Sequence, residues 1–173
     1  MEFFEVVEKR YTYRGEFTDA PVPREDLIKI ADAGRRAPSG ANLQTQSSLI
    51  VTDAELRAKA AEIFPHKGIK TAPALMLLLS EHIERRPGVS FEVKDYGAAA
   101  ENILLAVTAL GYATVWTDGE TSLNSERQAA FRELFNIPEQ KLVMAVLPIG
   151  VPQAPGVQRE RKPFEEIVQF ERF

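Results

Sequence analysis

The stretch Tyr96–Leu110 sets the strongest limit on what this chain can become. It reads Tyr-Gly-Ala-Ala-Ala-Glu-Asn-Ile-Leu-Leu-Ala-Val-Thr-Ala-Leu, with Glu101, Asn102 and Thr108 as its main polar interruptions and Gly111 as a stop. A helix that is apolar nearly all round has no face to offer to water, so it must be buried and central. The other elements must therefore form layers around it. With 173 residues the chain is long enough to do so. Surface scaling gives about 8,500 Å² exposed when folded against about 28,000 Å² unfolded, so roughly 70% is buried. That length suits one domain over residues 1–173, and no Ser/Gly linker, repeat or low-complexity tract divides it.

Around the central helix the sequence alternates helix and strand signals. Glu2–Lys9, with Phe3, Phe4, Val6 and Val7, reads as a short amphipathic helix, and a polar, turn-like stretch follows over Arg10–Val22. Pro23 suits a first helical position, with Glu25 and Asp26 in the first turn and Arg35-Arg36 in the last, before Pro38 closes the helix. Ser48–Thr52 reads as a strand, Asp53 as the N-cap of a helix through Phe64, and Leu75–Leu79 as a buried strand. Arg85–Val89 is a Pro-Gly loop, Asp95 is positioned to cap the central helix, and Ala113–Trp116 is a strand or extended exit. Ser125 opens a helix through Phe135 with Asn136 as terminator, and Leu142–Ile149 is a buried strand that Pro148 bends or confines to an edge. The pattern predicts an α+β fold of mixed α/β layers. The tail crowds Pro148, Gly150, Pro152, Pro155 and Gly156 into a loop, then alternates apolar residues at Val168 and Phe170. A terminal segment built this way is expected to pair with another surface, and a second copy of the chain supplies one.

Composition removes several chemistries. There is no cysteine, which excludes disulfides, thiolate metal sites, Cys nucleophiles and dithiol redox work, so any redox reaction needs a bound cofactor. A net charge of −4 argues against nucleic acid or a membrane surface as partner. No apolar run is long enough to span a bilayer, and the first residues lack a basic signal-peptide region, so the expected location is cytoplasmic. No Walker A loop, G-x-G-x-x-G or G-x-S-x-G elbow occurs. His66 and His82 lie sixteen residues apart without acidic neighbours at ligand spacing, which reads as two surface or rim histidines and predicts no metal site.

Three polar clusters remain. Arg10-Tyr11-Thr12-Tyr13-Arg14 sets two guanidiniums around a hydroxyl, a donor set that holds a phosphate monoester well. Pro38-Ser39-Gly40-Ala41-Asn42-Leu43-Gln44 is a tight loop with one hydroxyl and two amides, suited to the polar edge of a planar heterocycle. Arg159-Glu160-Arg161-Lys162 adds cations near the other end. Each alone has an ordinary explanation, since basic runs usually form solvated faces.

In their order along the chain, these clusters resemble the FMN-dependent nitroreductase family over nearly the whole length. Arg10-x-Thr12-x-Arg14 is similar to the family's Arg-x-Ser/Thr-x-Arg phosphate element, and Ala37–Gln44 to its Ala-Pro-Ser-x-x-Asn-x-Gln loop. Ala99–Leu110 running into Gly111–Trp116, Val146–Pro152, and Arg159-x-Arg161-Lys162-Pro163-Phe164-Glu165-Glu166 look like its buried helix and exit, its strand end and its basic tail. The resemblance implies a central, mostly antiparallel sheet flanked by helices, in a homodimer with swapped termini, residues 157–173 wrapping the partner. It implies FMN at two interface sites. Arg10, Thr12 and Arg14 would hold the phosphate with Arg159 and Arg161, and Tyr11 stands in that element where many members carry Arg or His. Pro38, Ser39 and Asn42 from the other subunit would lie along the isoalloxazine with Gln44, while Thr117, Asp118 and Gly119 would approach the ring through backbone groups. The implied activity takes hydride from NAD(P)H and passes it, by a ping-pong mechanism, to nitroaromatic, quinone or similar electron-poor acceptors. No protein side chain reacts, because the cofactor carries the chemistry. Two features depart from the family: Thr45-Gln46 replaces the frequent Pro-Trp, and the segment between His82 and Tyr96 is slight. Two other readings stay open, a flavin-binding or flavin-sensing dimer without efficient turnover, and a dimeric structural module.

Overall fold

The computed structural model describes residues 1–173. Its helices are α1 Phe3–Lys9, α2 Arg24–Arg35, α3 Ala54–Ile63, α4 Lys67–Thr71, α5 Glu92–Ala109, α6 Gly119–Ser122, α7 Ser125–Phe135 and α8 Phe164–Ile167. The strands are β1 Gln46–Val51, β2 Ala74–Glu81, β3 Glu84–Arg86, β4 Val89–Ser90 and β5 Lys141–Ile149. β1, β2 and β5 form one sheet in the order β1-β2-β5, antiparallel throughout, and β3 and β4 make a separate hairpin.

β2 is the middle strand and its residues Ala74–Ser80 are all buried. Successive strand side chains point to opposite faces, so Leu75, Leu77 and Leu79 enter one core while Ala74, Met76 and Leu78 enter another. The first core is closed by Ala60 of α3, Phe64, Ile69 of α4 and Phe131 of α7, with Tyr13 and Phe17 from the N-terminal stretch. The second is closed by Leu27 and Ile30 of α2 and by Tyr96, Ala100, Ile103, Leu104 and Val107 of α5. A strand covered on both faces has no use for polar alternation, which is why this segment is an unbroken apolar run. Each fully buried aliphatic side chain contributes about 1.5–3 kcal/mol of transfer free energy. The outer edge of β5 is partly covered by the chain leaving α5, through bridges from Ala113 to Gly150 and from Thr117 to Val146. Pro148 sits in this outermost strand, where a missing ladder donor is tolerated.

α5 is the long apolar helix, and it stops where expected: Gly111 takes φ 84°, a left-handed conformation that glycine adopts freely. Its start differs from expectation. The helix begins at Glu92, so Asp95 lies inside it and caps nothing. The helix is also not covered all round, since Gly97, Ala98, Leu105 and Ala106 are half-exposed in the single chain.

Other departures have local causes. Pro23 is the N-cap of α2 rather than its first residue. The Pro87-Gly88 loop is the turn of the β3–β4 hairpin, with Gly88 at φ 73°. α4 and α6, one turn each, carry no apolar periodicity to announce them. Ahead of the alternating Val168 and Phe170 the tail makes one helical turn, α8, which Pro163 as N-cap and Glu165-Glu166 in the first turn favour, and Val168 after it is extended. No helix is long and apolar enough to cross a membrane.

The single chain exposes 10,590 Å², against about 8,500 Å² for a compact monomer of this mass. Much of the excess is at the two ends, where Phe3, Phe4, Val157, Phe164, Ile167, Phe170 and Phe173 are exposed.

Candidate functional site

The residues after α1 run extended, so alternate side chains face opposite ways. Tyr13 is buried, its N–H donates to the Thr114 carbonyl at 2.9 Å, and its ring packs edge-on to Phe17 at 5.1 Å. Tyr11 follows it inward, half-buried against the same core and against Gly156, and burial raises its phenol above the usual range. Thr12 and Arg14 are left on the outer face, exposed. Arg14 makes no salt bridge, whereas the Arg10 guanidinium lies 3.7 Å from the Glu101 carboxylate on α5.

Arg14 forms one wall of a cleft of about 320 Å³ whose other walls are His66, Val115, Trp116, Thr117, Asp118, Gly119 and Glu120. Three of the residues expected near a ring, Thr117, Asp118 and Gly119, thus share a cleft with an expected phosphate ligand. Thr117 is fixed to β5: its hydroxyl donates to the Val146 carbonyl at 2.6 Å and accepts from the Val146 N–H at 3.2 Å. The Asp118 carboxylate accepts from Tyr96 at 2.5 Å and from the Ser122 hydroxyl at 2.7 Å. Its side chain is thereby turned to the protein. Tyr96 also accepts from the Trp116 indole N–H at 2.7 Å, and burial together with the Asp118 charge raises its phenol far above the usual range.

His66, read from the sequence as a surface or rim residue, is a half-exposed wall of this cleft. Its Nδ1 accepts from the Gly68 N–H at 3.1 Å, capping α4, so a neutral ring carries its proton on Nε2. Burial lowers its pKa; the Glu120 charge opposes that and Arg14 reinforces it. The signal in the sequence was the His-x-Gly spacing after Pro65, which fits an N-cap. His82 stays on the rim, bonded to Glu92 at 2.7 Å.

The loop after α2 is shaped by left-handed backbone. Ala41, Asn42 and Gln44 have φ of 51°, 56° and 50°, a conformation that non-glycine residues seldom adopt and that clusters at functional sites. The Ser39 hydroxyl accepts from the Gln44 N–H at 3.0 Å, and the Gly40 N–H and Thr45 hydroxyl donate to Asp95 at 2.7 and 2.9 Å. Pro38, Asn42 and Gln44 face outward, and Ser39 is half-exposed. This loop does not line the Arg14 cleft. Gln44 instead borders a second cleft of about 470 Å³ between α2 and the free edge of β1.

The basic tail is also separate from Arg14. Arg159 and Arg161 are exposed and form no ion pair. Gln158 anchors the tail's first residues, donating to the carbonyls of Val7 at 3.2 Å and Arg10 at 2.9 Å. The first residues of the tail therefore lie beside the Arg10 end of the N-terminal element.

The cleft brings a guanidinium, an imidazole and the Thr117–Gly119 segment together on an α+β scaffold. Comparison with known proteins identifies the family and the fold. The model of the nitroreductase family matches residues 7–66 and 64–151. A Methanothermobacter thermautotrophicus protein, provisionally named an NADH dehydrogenase/NAD(P)H nitroreductase, is 34% identical over 161 residues, covering 91% of this chain and 82% of that one. The NADPH-flavin oxidoreductase of Vibrio harveyi is 27% identical over 165 residues, 88% of this chain and 67% of its own. The solved structure of an FMN-dependent nitroreductase from Clostridium difficile shares the fold, with TM-score 0.81 at 22% identity, covering 98% of this chain and 99% of that one. The chain belongs to the nitroreductase family.

Proposed function

We propose that the protein is an FMN-dependent NAD(P)H oxidoreductase acting as a homodimer, with nitroaromatic, quinone or similar electron-poor acceptors. The observation that carries this reading is the cleft that an unpaired Arg14 shares with Thr117, Asp118 and Gly119. Its donor set fits FMN: a guanidinium for a phosphate dianion, and backbone polar groups for the edge of a planar ring. Bound there, FMN would supply two-electron transfer between a nicotinamide and an acceptor that take turns in the site.

The chain's own residues would do the following. Arg14 and the exposed Thr12 hydroxyl hold the phosphate, joined by Arg159 and Arg161 from the tail that Gln158 anchors beside Arg10. Arg10, half-sheltered by Glu101, adds its charge to the same end. Thr117, Asp118 and Gly119 present backbone to the ring. Pro38, Ser39, Asn42 and Gln44 cover the ring of the partner's site, which accounts for their distance from the Arg14 cleft of their own chain. The uncovered flank of α5, the apolar ends and the excess surface support a dimer in which the 157–173 extension, past its anchor at Gln158, lies on the second copy.

The test uses purified protein. A yellow colour with a flavin band, bleached anaerobically by NADH or NADPH and restored by an acceptor, in a particle of twice the chain mass by light scattering, is the expected result. Protein that stays colourless after incubation with excess FMN and gel filtration refutes it. A flavin band that neither nicotinamide bleaches selects the alternative, a flavin-holding dimer without turnover.

A further inference from the structure

Asp95 and Tyr96 line neither of the two clefts, yet both loops assigned to the flavin ring are tied to them. They are consecutive residues near the start of α5, and both are buried, 3% and 2% exposed. The Asp95 carboxylate spans the earlier loop: one oxygen accepts from the Gly40 N–H at 2.7 Å and the other from the Thr45 hydroxyl at 2.9 Å, partners 55 and 50 residues away. One residue on, the Tyr96 hydroxyl donates to Asp118 at 2.5 Å and accepts from the Trp116 indole at 2.7 Å.

A carboxylate inside an otherwise apolar helix is costly unless its oxygens are bonded. A helix cap would justify it, but Asp95 accepts nothing from the N–H groups of its own first turn. Its bonds go instead to a loop whose left-handed residues persist only where the surroundings over-determine them. Tyr96 does the equivalent on the other side: it holds the Asp118 carboxylate, in the middle of the Thr117–Gly119 segment that lines the cleft. We infer that Asp95 and Tyr96 are positioning residues of the flavin sites, two consecutive helix residues that fix the two ring-facing loops of one chain relative to each other. The assignment rests on the flavin reading above and adds to it residues that never touch the cofactor. In a dimer it also means that each α5 carries a loop of its own site and a loop of its partner's.

The experiment titrates FMN and riboflavin into wild-type apoprotein and into Tyr96→Phe, Asp95→Leu and Asp95→Asn, reading flavin fluorescence and the position of the absorption band, with thermal melts in parallel. Riboflavin has the ring without the phosphate. Tyr96→Phe and Asp95→Leu are each expected to weaken FMN and riboflavin by the same factor, about tenfold for Tyr96→Phe, which loses the charge-assisted bond to Asp118, and more for Asp95→Leu, which loses two such bonds. Asp95→Asn keeps an acceptor for Gly40 and is expected to restore most of that loss. Arg14→Ala, by contrast, should weaken FMN and leave riboflavin unchanged. Folded Tyr96→Phe protein that binds both flavins as tightly as wild type overturns the inference, as does a loss confined to FMN. If Asp95→Leu fails to fold, Tyr96→Phe decides, since it removes a single hydroxyl. A wild-type chain that binds neither flavin overturns this assignment together with the function it rests on.

Discussion

A methyl group at Gly40 tests whether the loop after α2 is held by packing as well as by Asp95. A Cβ built there would sit 2.2 Å from Cγ, 2.4 Å from Cδ2 and 2.7 Å from Cβ of Phe91. Carbon atoms settle about 3.5 Å apart, so ring and loop must separate by roughly 1.3 Å. If the Phe91 ring yields, the cost is that of an overpacked site, about 1–3 kcal/mol. If the loop yields, it lifts Gly40 off the Asp95 carboxylate and loses a charge-assisted hydrogen bond worth about 1.5–3 kcal/mol. By either route Gly40→Ala should destabilise the protein by about 2 kcal/mol and loosen flavin retention. Removing the obstacle reverses this: Gly40→Ala with Phe91→Ala should be more stable than the sum of the single changes, by about 1–2 kcal/mol of coupling. Urea unfolding of the four proteins, with flavin content measured on each, completes the cycle. Additivity within about 0.5 kcal/mol would show that Phe91 does not oppose a side chain at position 40, and the packing argument would fail.

Three further outcomes are expected. Arg14→Ala should weaken FMN by about 10- to 30-fold, the loss of one exposed charge-assisted contact; equilibrium dialysis showing unchanged FMN affinity would remove Arg14 from the phosphate site. Burial holds His66 below its ordinary pKa. The unfolded chain therefore takes up more protons, and stability falls as pH drops through about 6.5. His66→Asn keeps a capping oxygen without that titration, so its melting temperature should gain on wild type between pH 7 and pH 5, and parallel curves would refute the assignment. Truncation after Gly156 removes the tail with Arg159 and Arg161, and should cost dimer and flavin together; a truncated monomer that keeps its flavin would contradict the swapped-tail arrangement.

The sequence made some parts of the molecule legible through local rules. α7 runs from Ser125 to Phe135 and ends on Asn136 at φ 52°, where a terminator was read from residue type alone. β2 and the stop at Gly111 were equally plain, since an unbroken apolar run and a glycine after a helix each have one common meaning. Asp95 was misread because an acidic residue ahead of an apolar helix normally caps it. Its real partners are 50 and 55 residues back, and no local rule reports them. The phosphate-type arginines were visible as a pattern, but not the pairing of Arg10 with Glu101, which depends on how α1 crosses α5. His66 looked idle because what gives it neighbours is the folding of Arg14 and Glu120 onto its side of the sheet.

The middle strand has a consequence for how this chain can vary. Leu75, Leu77 and Leu79 fill one side of a partition and Ala74, Met76 and Leu78 the other, so the two rooms are furnished with different shapes. Loss or gain of a single amino acid there would exchange the furniture of both rooms at once, putting leucines where an alanine and a methionine fit. Changes of length should accumulate in the surrounding connections, such as the Pro87-Gly88 hairpin, while the partition keeps its count.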